Sequence, residues 1–173
     1  MAKTYNRKEV QDLLLALERS ASDTIMVARE ASTGAQKGRY DTYARFREKC
    51  DDFNTLSILI EYRLKNIAGG QAADLEDKFN DLSAFMLSAT LQTSLFLLRI
   101  LAETDTLPLG SRDIFSSELR SLHSVRQHIQ DAKYAPKLSE RTLSDIKVAE
   151  EILELIIERA PALLNLDRPQ TDA

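Results

Sequence analysis

Hydrophobic residues recur along this chain at alternating steps of three and four, and no stretch alternates with period two. That is the spacing of helices and not of strands. The first segment opens at Asn6, with Glu9 three residues on, the spacing of a capping box. Val10, Leu14, Leu17, Ala21, Thr24 and Ala28 form its stripe, and it is expected to stop near Ser32-Thr33-Gly34. Gly38 is a second interruption; one helix through both glycines would lose about 1 kcal/mol at each. The second segment runs from about Arg39 to Ala68, with Tyr43, Phe46, Cys50, Phe53, Ser57, Ile60, Leu64 and Ile67 in heptad register. Gly69-Gly70 is expected to end it.

The third segment, from about Gln71 to Glu103, carries Leu75, Phe79, Leu82, Met86, Ala89, Thr93, Phe96 and Ile100. A second stripe, Leu87, Leu91, Leu95 and Leu98, lies roughly opposite the first. A helix apolar on both sides is either the centre of its bundle or half of an interface. After Pro108 and Gly110, Ser111 is placed to cap a fourth segment with Phe115, Leu119, Leu122, Val125 and Ile129. Lys133 to Leu138 is a connector containing Pro136. Ser139 is placed to cap a fifth segment with Leu143, Ile146, Ala149, Leu153, Ile156 and Ala160, which Pro161 is expected to end. The pattern predicts an all-α antiparallel bundle of about five helices, the first three long and the last two shorter. One domain is expected over residues 1–166, with a polar, disordered tail at 167–173.

Composition narrows the class. With 43% hydrophobic and 29% charged residues the chain is globular, and its formal charge of −4 makes a general electrostatic grip on nucleic acid unfavoured. A single cysteine excludes an internal disulfide. The longest uncharged run, Leu82 to Leu98, is interrupted by serines and threonines and reads as a buried helix of a soluble protein, with no membrane span expected. The first residues hold charges and no apolar stretch of signal-peptide length, so a cytoplasmic location is expected.

Candidate chemistry is sparse. His123 and His128 stand five apart, about 140° around a helix, and do not make a ligand pair on one face. His123 also lacks the glycine that usually follows an exposed phosphotransfer histidine. Glu150, Glu154 and Glu158 form one acidic row and Asp77 and Asp81 another, both off the apolar stripes and read as solvated faces. No catalytic, cofactor or metal site is assigned. The most unusual local composition is Lys37, Arg39, Tyr40, Arg45, Arg47 and Lys49, interleaved with Tyr43 and Phe46. Cations beside aromatics suit a polyanion or an acidic protein surface. The simpler reading makes Tyr43 and Phe46 core and the basic residues their solvated flanks.

The stretch Arg126-Gln127-His128-Ile129-Gln130-Asp131, followed by a loop and a last helix, is similar to the HEPN nuclease group. Those all-α domains place an Arg and, four to six residues later, a His near the end of a helix. Here Asp131 stands where that His would be, so the resemblance implies a non-catalytic member. The functional expectation is a non-enzymatic protein–protein interaction module: an adaptor, scaffold or regulatory subunit that self-associates as a homodimer. Leu87, Leu91, Leu95 and Leu98 are its candidate contact, unless the third helix is the central core helix. The alternatives are a nucleic-acid-associated protein using residues 37–49 and the HEPN-like domain.

Overall fold

The computed structural model describes residues 4–68, 72–103, 111–131 and 133–163. Five helices make an all-α bundle: α1 (Arg7–Gln36), α2 (Asp41–Lys65), α3 (Ala73–Ala102), α4 (Ser111–Ile129) and α5 (Glu140–Leu163), with a 3₁₀ turn at Ala135–Lys137 before α5. No strand occurs among the described residues. Asn6 starts α1 by accepting the Lys8 N–H at 3.0 Å. Contrary to expectation, α1 passes through Gly34 and ends at Gln36. A methyl group at Gly34 would collide with Thr42 Oγ1 and come within 3.0 Å of the Arg39 carbonyl, so only glycine admits α2 this close. Gly38, at φ +69°, turns the chain.

From that turn α2 returns along α1. Arg45 reaches Glu30 at 3.5 Å, Thr24 Oγ1 meets the Lys49 carbonyl at 3.5 Å, and Tyr5 and Asn66 close the far end with a 3.0 Å backbone bond. One core lies between α1, α2 and α3, built from Val10, Leu14, Leu17, Phe53, Ile60, Leu75, Phe79 and Met86. The other joins the opposite half of α3 to α4 and α5 and to the facing ends of α1 and α2, from Val27 to Ala35 and from Tyr43 to Cys50. Among the described elements α3 is the one that packs against all four other helices. By length and composition α3 would also suit a bilayer, but half of its most apolar window is buried inside the fold.

The second stripe of α3 is core. Leu91, Leu95 and Leu98 are at most 4% exposed and pack with Phe115, Leu122, Val125, Ile129 and Ala149, while Leu87 is half-buried beside them. These leucines are buried within their own chain, so they are not the surface patch that a dimer contact required. In this half of α3 the expected primary stripe is shallower: Ala89, Phe96 and Ile100 are half-buried. Two expectations on α5 are corrected. Leu143 is exposed, because Thr142 takes the inward position and bonds both Ser139 and Ser88. The helix also runs past Pro161 to Leu163, so that proline sits in the last turn. Ser139 does cap the start, accepting the Thr142 N–H at 3.2 Å. The connector 104–110, the Ser111 side chain, Ile156, Ala160 and the tail 167–173 lie outside the described residues.

Candidate functional site

A cleft of about 460 Å³ opens above α3, between α2 on one side and α4 on the other. Its floor is Phe79, Ser83, Met86, Leu87 and Thr90 of α3. Ser57, Ile58 and Glu61 stand on the α2 wall, and Ser121, Ser124 and His128 on the α4 wall. Two charge pairs bridge the walls. Arg47 Nε lies 3.3 Å from Glu118 Oε1, and Lys133 Nζ lies 3.1 Å from Glu61 Oε1. Arg47 and Glu61 are about 21 Å apart along α2 at 1.5 Å per residue. The volume lies within the range of small-molecule sites and is too small for a whole partner helix.

The first bridge is the deeper. Glu118 is completely buried and Arg47 is 18% exposed. They are close enough to pair but not aligned as a hydrogen bond, and Arg47 Nη1 and both Glu118 oxygens have no hydrogen-bond partner. Tyr43 adjoins them, and burial first, then the Glu118 charge, push its hydroxyl well above the ordinary tyrosine range. Burial likewise pushes the Cys50 thiol up to about 11, against the opposing pull of Arg47 and of Thr90, whose Oγ1 is 3.8 Å from Sγ. At the second bridge burial opposes ionisation, yet Lys133 and Lys65 hold the Glu61 carboxyl below its usual range. The neutral thiol and hydroxyl are not activated nucleophiles.

Two polar atoms mark its interior. Ser57 Oγ and Ser83 Oγ are buried without a hydrogen-bond partner, and Ser83 is only 7% exposed. Buried hydroxyls are normally bonded, and one left unmet costs about 1 to 3 kcal/mol. A second groove, about 780 Å³ across the other side of α3, is larger and more open. There Ser88, Thr93, Lys137, Ser139 and Thr142 are already bonded within the protein, so its demand for a ligand is smaller.

The basic-aromatic segment is dispersed by the fold. Tyr43 and Phe46 are buried and stack edge-on at 5.6 Å. Arg45 pairs with Glu30, Arg47 with Glu118 and Lys49 with Asp52. Lys37 and Arg39 remain exposed at the turn with a half-buried Tyr40. His128 is exposed, and its Nδ1 faces the Ser124 carbonyl at 2.7 Å. The His123 and Arg126 side chains lie outside the described residues. Asp131, the position where a HEPN domain carries its His, accepts the Lys133 N–H at 3.1 Å and shapes the turn after α4. Asp77 and Asp81 are not idle, since both hold Lys137. Among the described residues no cluster of metal-ligating side chains occurs.

The sequence reading missed Glu118. Phe115, Glu118, Leu122, Val125 and Ile129 share one helical face, and Glu118 occupies an inward place on it. That register was the available signal. No family model, no curated protein and no solved structure matches this chain.

Proposed function

We propose that the chain is a non-enzymatic regulatory or adaptor module whose recognition site is the cleft between α2, α3 and α4. The observation that carries this reading is the pair of buried, unpartnered hydroxyls, Ser57 and Ser83, inside a ligand-sized cleft. A thermal-shift screen with charged and neutral amphiphiles tests it, comparing the native chain with Ser83→Leu, which fills the floor. At least one compound class raises the midpoint of the native chain and leaves that of the folded variant unchanged. Equal shifts in both proteins, or none in either, overturn the reading.

A second reading, self-association, rests on α2. Ile58 and Tyr62, one turn apart and flanked by Leu59, are 70% and 54% exposed. The exposed charged residues of α2 are Asp41, Arg45, Glu48, Asp51 and Asp52 before this patch and Lys65 after it. A second copy crossing head-to-tail on a two-fold axis would cover that apolar centre with its own counterpart and bring Lys65 toward the acidic half of its partner. Ile58→Asp with Tyr62→Asp should then convert a sedimenting dimer into a folded monomer. A native chain that sediments as a monomer at micromolar concentration removes this reading.

A further inference from the structure

The cleft is asymmetric, and the asymmetry carries information about what it holds. At the end where α2 meets α4 through Arg47 and Glu118, Arg120 lines the wall with no ion-pair partner among the described residues, flanked by Ser117 and Ser121. Arg47 adds a buried Nη1 with no hydrogen-bond partner. Two guanidinium groups thus present unused donors beside hydroxyls at one end, the arrangement that suits carboxylate or phosphate oxygens. The adverse charges there are Glu118, which offsets Arg47 within their ion pair, and Asp51, which is exposed and screened by water and salt, so the uncompensated cation of this end is Arg120. At the other end Glu61 already has Lys133 and Lys65, leaving no free acid to attract a cation. Between the ends the lining is largely apolar, with Phe79, Met86 and Leu87 on the floor and Val125 on the α4 wall, beside the unmet Ser83 hydroxyl.

We infer that the cleft binds a small amphipathic anion: a carboxylate or phosphate head held by Arg120 and Arg47, and an apolar body lying over Met86 and Leu87 toward Phe79. This rests on the reading that the cleft is the recognition site, and adds the ligand's chemical class. Glu118 has a positioning role. It holds the Arg47 guanidinium at the junction of the two walls. The serines of α4, at steps of four and three, supply further hydroxyls along the ligand's length.

A fluorescence titration with dansyl-labelled undecanoic acid tests the inference, using the native chain and competition by laurate, dodecyl phosphate and dodecanol. Laurate against dodecyl phosphate decides which anionic head is preferred; either one supports the inference. The native chain should bind the probe at one site, and dodecanol should compete at least tenfold more weakly than the better anion. Arg120→Gln removes an exposed, unpaired charge and so should fold normally while weakening the anions at least tenfold. Ser83→Leu should abolish probe binding, and Phe85→Ser, in the opposite groove, should leave it unchanged. Circular dichroism and thermal midpoints confirm that each variant is folded. Dodecanol competing as well as the anions, or Arg120→Gln leaving their affinity unchanged, overturns the inference while the cleft reading survives on the Ser83→Leu result. Absence of probe binding, or binding that Ser83→Leu does not touch, overturns both.

Discussion

Arg47 of α2 and Glu118 of α4 hold each other at 3.3 Å across α3, and Glu118 has no exposed surface. The pair is a direct tie between two helices that otherwise flank a cleft, so its loss acts on architecture and site together. Removing one partner of a buried pair strands a charge, and such losses cost about 3 to 5 kcal/mol. Arg47 keeps some water contact, which lowers the expectation to roughly 2 to 3 kcal/mol for Glu118→Ala. Replacing both, Arg47→Met with Glu118→Met, should restore stability to within about 1 kcal/mol of the native chain, because neither charge then needs desolvation. Urea melts of the two variants are the check. A double variant as unstable as the single one would mean that the tie stabilises by something other than its charges.

Glycine at position 34 is a second structural requirement, and it is local. A Cβ there meets Thr42 Oγ1 and the Arg39 backbone carbonyl, at the point where α1 and α2 come together. Gly34→Ala should destabilise the protein by about 1 to 3 kcal/mol, although alanine is the better helix former by about 1 kcal/mol. Thr42→Ala in the same chain removes the side-chain half of the collision but not the carbonyl half. Partial recovery in the double variant, read from thermal midpoints, is the expected result; full loss of the coupling would place the strain elsewhere.

The sequence was most legible where apolar spacing and burial coincide. Val10, Leu14, Leu17 and Ala21 were read as one inward stripe and are one, as are Tyr43, Phe46, Cys50 and Phe53. It was least legible where an inward position carries a polar residue. Glu118 is in register with Phe115 and Leu122, yet a glutamate is ordinarily read as surface, and only the facing Arg47 makes its burial tolerable. Thr142 displaced Leu143 from the core of α5 for a related reason, since Ser88 and Ser139 offered it hydrogen bonds. The passage of α1 through Gly34 was hidden because the cost of a glycine is local, whereas its benefit depends on Thr42 in the next helix. The cleft could not be read at all. Its residues come from three helices whose relative rotation is set by packing and not by any one stripe.

Cys50 gives a pH-dependent prediction with a definite sign. Burial raises the folded thiol to about 11, partly offset by Arg47 and Thr90, whereas an unfolded thiol titrates near 8.5. Above the unfolded value the unfolded chain releases a proton that the folded chain retains. Stability therefore declines as pH rises from about 8.5 toward 11, by at most about 1.4 kcal/mol per pH unit from this group. Tyr43, raised in the same direction by burial and by Glu118, adds to the decline at higher pH. Cys50→Ala should flatten the thiol part of that slope. Native protein at pH 8 should also react with an aromatic disulfide reagent far more slowly than urea-unfolded protein. Equal labelling rates would show that Cys50 is not held in the buried, neutral form.

The leucines of α3 separate core from interface by substitution. Leu91 and Leu95 are enclosed in a core of their own chain to which all five helices contribute, at 1% and 4% exposure. Two glutamates in that space would have to be buried charged without partners or neutralised at a large cost, either of which exceeds a typical folding free energy of about 5 to 15 kcal/mol when doubled. Leu91→Glu with Leu95→Glu should therefore abolish the cooperative thermal transition and the far-ultraviolet helical signal. Leu91→Ala alone should keep the fold and cost about 2 to 5 kcal/mol, the loss expected for a fully buried leucine. Were the same stripe a contact between copies, the double glutamate variant would instead give a helical, cooperatively melting monomer. Circular dichroism paired with sedimentation distinguishes the two, because the core assignment requires loss of helix and the interface assignment requires only loss of mass.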